Sequence, residues 1–380
     1  MTDPLPARGV VHWVGAGRSS GAGIVTLTEH AAVTLWARKP ERAHDLADRL
    51  ALTGRVGVRP LDELAGTVRA GDVVVSMLPA TEHGSLLRLC LDRGAHFANT
   101  SYLSDDIAAA AGSLAAAGLV AVVEAGLDPG IDHLMAHRLV ADGRRAIGDD
   151  AVAEFTSYCG GLPAVPNEFR YRFSWAPRGV LRALLNEARF IDGGDVRTVA
   201  RPWQAITPVT LDGERFEGYP NRDSTTAIAQ YALPAGWRLD RFVRGTLRLD
   251  GWSTAWAEVF RQLEEGDGAR VDALADELAA RYPATAQDHD RVVLHTRLSL
   301  RTPEGRRWAE AYSLDVQGDA TGSAMARCVS LTLAAAVREI LDGRVAPGLH
   351  QAASEPDRVD RWWRHLAEAG LTIHHTSVRA

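Results

Sequence analysis

The first third of the chain alternates between two hydrophobic textures. Val10 to Val14, Val33 to Trp36, Asp72-Val-Val-Val-Ser-Met-Leu78, His96-Phe-Ala-Asn-Thr100 and Leu119 to Val123 are short runs rich in apolar residues. Between them, Pro40 to Leu50, Glu82 to Arg93 and Ser104 to Ala117 carry apolar residues at helical spacing. An apolar run without alternation fits a strand buried on both faces, and intervening helices supply the cover. The pattern predicts an α/β domain built on a parallel sheet. After about Asp132 the texture changes. A helix is expected over Ile131 to Val140, followed by strand-like, loop-rich sequence. Arg291 to Leu300 and Arg306 to Val316 flank Thr302-Pro-Glu-Gly305, which reads as a β-hairpin. A second α/β (α+β) domain with a mixed or antiparallel sheet is therefore expected, before a long apolar helix over Met325 to Leu341.

The strongest local motif is Val14-Gly15-Ala16-Gly17-Arg18-Ser19-Ser20-Gly21, directly after the first strand and opening a helix. Glycines there let the backbone turn tightly and approach a pyrophosphate. The usual spacing is G-x-G-x-x-G, and here Ser20 takes the third place. The same residues contain Gly17-x-Ser19-x-Gly21, the spacing of a hydrolase nucleophile elbow, but that elbow needs several strands before it. A dinucleotide site places its ribose reader at the end of the second strand. This chain has Trp36-Ala37-Arg38-Lys39 there, with no acid, and Arg38 suits a 2′-phosphate. The motif thus points to NADP over NAD.

Open parallel sheets bind ligands at the carboxyl ends of their strands. Ser76-Met-Leu78-Pro79, Asn99-Thr100-Ser101-Tyr102 and Glu124-Ala-Gly-Leu127-Asp128-Pro129-Gly130 each end a strand. Asp128 and Tyr102 come from neighbouring strand ends, so both are candidates for proton handling, Asp128 first. Cys159 is a weaker candidate, because a lone cysteine is usually a small buried apolar residue. His133 and His137 have i, i+4 spacing but lack the acid of an H-E-x-x-H motif, and no metal is expected.

Composition narrows the partners. The 380 residues are 46% hydrophobic and 24% charged, ordinary globular values, and the net charge of −6 offers no basic footprint for nucleic acid. No apolar run is long enough to span a bilayer, and the N-terminus does not read as a secretory signal. Cys90, Cys159 and Cys328 are scattered, which fits a reducing cytoplasm.

Ser76-Met-Leu-Pro-Ala-Thr81, Thr100-Ser-Tyr102 and Gly126-Leu-Asp-Pro-Gly-Ile-Asp-His133 resemble the saccharopine dehydrogenase (saccharopine reductase) family of the NADP-dependent, glutamate-forming type. Further resembling segments are Tyr158 to Pro163, Phe173 to Val180, Tyr219 to Ser224 and Arg244 to Arg248. The resemblance implies a Rossmann domain over 1–130, a substrate domain over 131–323, and a C-terminal segment, about 324–380, that returns to the first domain. It implies cofactor contacts from Arg18, Ser19, Ser20, Arg38, Leu78, Thr100, Ser101, Leu127, Asp128, Pro129 and Ser174, beside Gly15 and Gly17 of the glycine loop. Substrate contacts implied are Ser101, Tyr102, Asp128, Arg222 and Thr246. Arg244 joins them as a second guanidinium that can pair with a substrate carboxylate. The implied reaction oxidises saccharopine to glutamate and 2-aminoadipate semialdehyde, in a cytoplasmic homodimer. Two alternatives remain open: a polyamine enzyme such as carboxynorspermidine dehydrogenase or homospermidine synthase, and a non-catalytic NADP sensor.

Overall fold

The computed structural model describes residues 5–377, apart from 174, 175, 284, 286 and 287. They form two compact units.

The first unit comprises Met1–Leu134 and Thr321–Leu371. Its strands are β1 (Val10–Val14), β2 (Ala32–Ala37), β3 (Gly57–Pro60), β4 (Val73–Ser76), β5 (His96–Asn99) and β6 (Val120–Val122). The strand Gly348–His350 completes a seven-stranded parallel sheet beyond β6. From that edge the order runs β6-β5-β4-β1-β2-β3, so the chain reverses direction across the sheet between β1 and β4. That topological switch is where an open α/β sheet leaves a crevice at its carboxyl edge. The apolar runs lie where the pattern predicts. Every residue of β4, β5 and β6 is buried, as sheet cover on both faces requires. Leu86, Leu87 and Cys90 of the helix Ala80–Arg93 pack with Phe97, Leu114 and Val123 into one core.

The C-terminal part of this unit is held by close backbone packing. A Cβ on Gly23, in the short helix Ala22–Leu27, would lie 1.9 Å from the Ser330 carbonyl oxygen of the helix Ala324–Leu341. Gly23 N–H donates to Ser330 Oγ at 3.0 Å. The helices Ala324–Leu341 and Pro356–Glu368 are joined by a buried ion pair, Arg358 Nε to Glu339 Oε2 at 2.9 Å.

The second unit comprises Met135–Ala320 and Thr372–Ala380. Its strands are β7 (Ala151–Pro163), β8 (Ala188–Asp192), β9 (Asp195–Val199), β10 (Thr207–Leu211), β11 (Glu214–Pro220), β12 (Trp237–Leu249), β13 (Asp290–Arg301) and β14 (Arg307–Gln317). The sheet is mixed: β12 runs parallel to β7, and β13 pairs antiparallel with both β7 and β14. The β13–β14 hairpin lies within a residue or two of the predicted bounds. The segment after residue 371 differs from expectation. His374–Ser377 pairs with β14 of the second sheet, not with the first domain. Its residues are all exposed, so edge pairing and not burial positions it.

Gly23→Ala forces backbone atoms apart with no flexible side chain to yield. Overpacking typically costs about 1–3 kcal/mol, and the value here is expected at the upper end. Thermal unfolding followed by circular dichroism should show a clear drop in Tm, whereas Gly17→Ala, with open space at the Cβ position, should not.

Candidate functional site

The glycine loop crosses the sheet's switch point. Gly15 N–H donates to the Trp36 carbonyl of β2 at 2.8 Å, and Met77 N–H donates to the Val14 carbonyl at 2.8 Å. Gly15 has φ +116, and a Cβ would lie 2.9 Å from the Met77 carbonyl oxygen, so only glycine fits. Gly17 and Arg18 are exposed on the outer side of the loop. Ser20 turns inward. Its Oγ donates to the Gly15 carbonyl at 2.9 Å and accepts from Trp13 Nε1 at 3.1 Å, and its N–H donates to the Gly17 carbonyl at 3.1 Å. Ser20 therefore braces the loop through the groups a ligand would otherwise meet. Only β1 precedes Ser19, and among the described residues no histidine bonds its hydroxyl, so the arrangement favours a dinucleotide loop over a nucleophile elbow.

Arg38 extends from the end of β2 with its side chain 68% exposed, 3.4 Å from Glu82 Oε1. An exposed pair of this length is worth about 0–1 kcal/mol. It leaves Arg38 able to turn to a phosphate. No acid occupies Ala37 to Lys39.

Three more strand ends lie on the same edge. Leu78 packs against the core after β4. Thr100, Ser101 and Tyr102 follow β5, and Leu127, Asp128 and Pro129 follow β6, with a cis Asp128–Pro129 peptide. Tyr102 donates its phenolic proton to Asp128 Oδ1 at 2.8 Å, both residues being half-buried. The two candidates for proton handling are thus one hydrogen-bonded pair.

Two residues that the motifs did not single out organise this edge. His83, in the first turns of Ala80–Arg93, joins Ser76 Oγ at 2.8 Å through Nδ1 and Ser101 Oγ at 2.9 Å through Nε2. Burial pulls its pKa down to about 4, with Asp106 opposing, so the ring is neutral near pH 7. Glu124 follows β6 in the left-handed region, φ +60, and is buried. Its Oε1 accepts from Leu103 N–H at 3.0 Å and its Oε2 from Gln351 Nε2 at 3.0 Å, with His133 Nε2 3.5 Å away. His137 faces Tyr231 instead, so the two histidines do not converge on one site.

The remaining candidates belong to the second unit. Arg244 and Thr246 share one face of β12, and the turn carrying Arg222 is fastened to Arg244. Asn221 N–H donates to the Arg244 carbonyl at 2.8 Å, and Ser224 Oγ accepts from Arg244 N–H at 2.9 Å. Arg222 itself has φ +54. Thr246 is in register with Tyr219 of β11 and Cys159 of β7. Burial pushes the Tyr219 hydroxyl up to about 12. Sequence reasoning missed Arg248 on the same face. It is buried, and its guanidinium lies 4.8 Å from the Tyr171 ring centroid and 5.4 Å from those of Tyr219 and Trp252. A cavity lined by Glu154, Thr156, Arg241, His295 and Arg297 is also in this unit and holds none of the predicted residues. Ser174 lies outside the described residues.

A seven-stranded parallel sheet with a glycine loop at its switch point and polar strand ends defines a dinucleotide-binding protein of the Rossmann class. Residues 11–122 match the saccharopine dehydrogenase NADP binding domain, and residues 126–371 match the saccharopine dehydrogenase C-terminal domain. The chain belongs to the saccharopine dehydrogenase family. It is 28% identical over 358 residues to the mitochondrial alpha-aminoadipic semialdehyde synthase of Rattus norvegicus, covering 75% of this chain and 38% of that protein. It is 38% identical over 200 residues to saccharopine dehydrogenase [NADP(+), L-glutamate-forming] of Schizosaccharomyces pombe, covering 50% of this chain and 42% of that protein. The chain thus spans less than half the length of these two curated relatives. The apo saccharopine dehydrogenase (L-Glu forming) of Saccharomyces cerevisiae superposes with a TM-score of 0.83 at 25% identity, covering 98% of this chain and 100% of that one. The homospermidine synthase of Legionella pneumophila shares the fold, with a TM-score of 0.66 at 11% identity, covering 100% of this chain and 93% of that one.

Glu124→Ala strips the partner from the Leu103 amide and from Gln351. An unsatisfied buried donor costs about 1–3 kcal/mol. Hydrogen exchange at the Leu103 amide should accelerate at least tenfold, while amides in β1 keep their protection.

Proposed function

We propose that the protein oxidises saccharopine with NADP to glutamate and 2-aminoadipate semialdehyde, reversibly, as an enzyme of lysine metabolism. The observation that carries this reading is the Tyr102–Asp128 pair at the carboxyl edge of an NADP-binding sheet, in a chain of this family. The cradle at Gly15, which any Cβ would fill, and the exposed Arg38 fit NADP.

Saccharopine is a secondary amine. Oxidation removes a hydride from the C–N carbon of the lysine skeleton and a proton from nitrogen, giving an imine that water cleaves. When bound, NADP accepts the hydride. The chain's own part is positioning and proton handling. Asp128 Oδ1 accepts a hydrogen bond from the Tyr102 hydroxyl, and the carboxylate is assigned to hold the substrate ammonium and take its proton. Tyr102 stabilises the charged carboxylate, because a hydrogen bond to the ionised form favours it. The substrate carries three carboxylates. Arg222 and Arg244 are the donors assigned to them, with Ser101 and Thr246 hydroxyls in support. These cations favour saccharopine over a polyamine, which would call for several acids instead. All three cysteines are free thiols, which supports a reducing cytoplasm as the compartment, and we extend the reading to a homodimer there.

The decisive experiment is a turnover screen with saccharopine and carboxynorspermidine, each with NADP and NAD. Turnover of saccharopine with NADP is expected. Preference for carboxynorspermidine would move the protein to the polyamine reading, and NADP binding by calorimetry with no turnover would make it a sensor. Light scattering coupled to size exclusion reads the oligomeric state, with a dimer expected.

Two variants test the assigned roles. Arg38→Asp should lower kcat/KM with NADP relative to NAD by about 10–100-fold, the equivalent of a charge-assisted hydrogen bond of roughly 1.5–3 kcal/mol. An unchanged cofactor ratio would remove Arg38 from phosphate recognition. Asp128→Asn should lower kcat by about 10²–10⁴-fold, the range of general acid–base catalysis, with NADP affinity retained. Tyr102→Phe removes the hydrogen bond to Asp128 Oδ1 and should lower kcat with KM for NADP little changed, as steady-state kinetics would show.

A further inference from the structure

We propose that His83 is a positioning residue: held as the Nε2–H tautomer by Ser76, it donates to Ser101 Oγ and so aims the Ser101 hydroxyl proton at an acceptor oxygen of a bound ligand. The ligand assignment rests on the reading above; the tautomer does not.

The inference comes from counting donors and acceptors. Ser76 is fully buried and, among the described residues, its Oγ hydrogen-bonds only His83 Nδ1, at 2.8 Å. A neutral imidazole has one N–H and one bare nitrogen. If Nδ1 carried the proton, Ser76 would accept it and its own hydroxyl proton would be buried with no acceptor. Such groups are rare because their lost hydration is not replaced. If Nδ1 is bare, Ser76 donates to it, and the one hydroxyl proton left over is that of Ser101, at the half-buried strand end and not in the core. The proton then resides on Nε2 and points at Ser101 Oγ, 2.9 Å away. Phe97 stands edge-on to the ring at 6.5 Å, and Ser76 has no exposed surface. The facing acid is Asp106, which does not bond the ring.

Ser101 is otherwise engaged through its backbone. Its N–H donates to Asn99 Oδ1 at 3.1 Å, and its carbonyl accepts from Glu124 N–H at 3.1 Å. With His83 donating to Oγ, the hydroxyl proton is the one group of Ser101 left to meet a ligand, and Ser101 is half-buried at the strand end. A hydroxyl that already accepts is also a better donor, since hydrogen bonds in a chain polarise one another. The ligand group matched is a carboxylate or an amide carbonyl oxygen. A substrate carboxylate and the amide of NADP share that chemistry.

The test begins with the unmodified protein, labelled with ¹⁵N-histidine. Long-range ¹H–¹⁵N correlation at pH 7 should show His83 as the Nε2–H tautomer, assigned by its absence in His83→Gln. An Nδ1–H tautomer overturns the proposal whether or not saccharopine is a substrate. Titration with NADP alone and with saccharopine alone identifies the source of the acceptor oxygen: the ligand that shifts the His83 Nε2 resonance is the one Ser101 meets, and no shift with either, or with both together, overturns the proposal. Kinetics give an independent arm. Ser101→Ala and His83→Leu should each raise KM for that ligand about tenfold with kcat changed less. Combined, they should be no worse than Ser101→Ala alone. His83→Gln, whose amide can still donate, should recover part of the loss. Additive losses in the double variant would mean that His83 merely supports the fold.

Discussion

The ends of the strands are held in place by a buried carboxylate. Glu124 sits where β6 finishes, in a backbone conformation that side chains seldom adopt, and its two oxygens take donors from two other stretches of chain. A buried carboxylate is tolerated only when donors replace its water, so the Leu103 amide and the Gln351 side chain are obliged to stay beside it. Leu103 follows Tyr102 directly, and Asp128 lies a short loop after Glu124. The Tyr102–Asp128 hydrogen bond therefore joins two segments that Glu124 helps to hold in place. Left-handed backbone at a buried charged residue is a local cost, and such costs persist where the surroundings over-determine them. The surroundings here are the β5 end, the β6 end and the segment after the strand Gly348–His350.

That last segment explains how the units relate to the sequence. The profile of the C-terminal domain runs unbroken from 126 to 371, yet residues 321–371 fold with the first unit. Backbone contact at Gly23 and Ser330 and the strand beside β6 bring the chain back. Gly348–His350 is the sheet's edge on that side, and an edge of only 3 residues offers little template for pairing with another molecule. The same return supplies Gln351 to Glu124, so closing the sheet and fixing the site are one event.

The parallel sheet was legible because strands buried on both faces leave no polar position, and Val73 to Val75 or Val120 to Val122 show this directly. The hairpin was legible from its turn. The glycine loop was legible in outline, but not the inward role of Ser20, because a serine that braces a turn and one that meets a ligand have the same letter. His83 was hidden for a different reason. Its partners Ser76 and Ser101 lie seven residues before it and eighteen after it, a relation made only when a helix turn brings one strand end over another. His374–Ser377 is polar and exposed, so no hydrophobic period marked it as a strand.

The second unit treats charge in another way. Arg38 of the first unit is exposed and loosely paired, so its charge is held with little desolvation. Arg244 and Arg248 are both buried on one face of β12. Burying a cation without an anion is costly. Arg248 has no acidic partner among the described residues, and instead three aromatic rings surround its guanidinium. Ring faces attract a desolvated cation by about 2 kcal/mol or more. They do so without neutralising it, which a carboxylate would. A cation held this way keeps its field, and Tyr219, one of the three rings, shares its register with Thr246. Aromatic retention thus keeps the positive charge of Arg248 on this face of β12 without neutralising it.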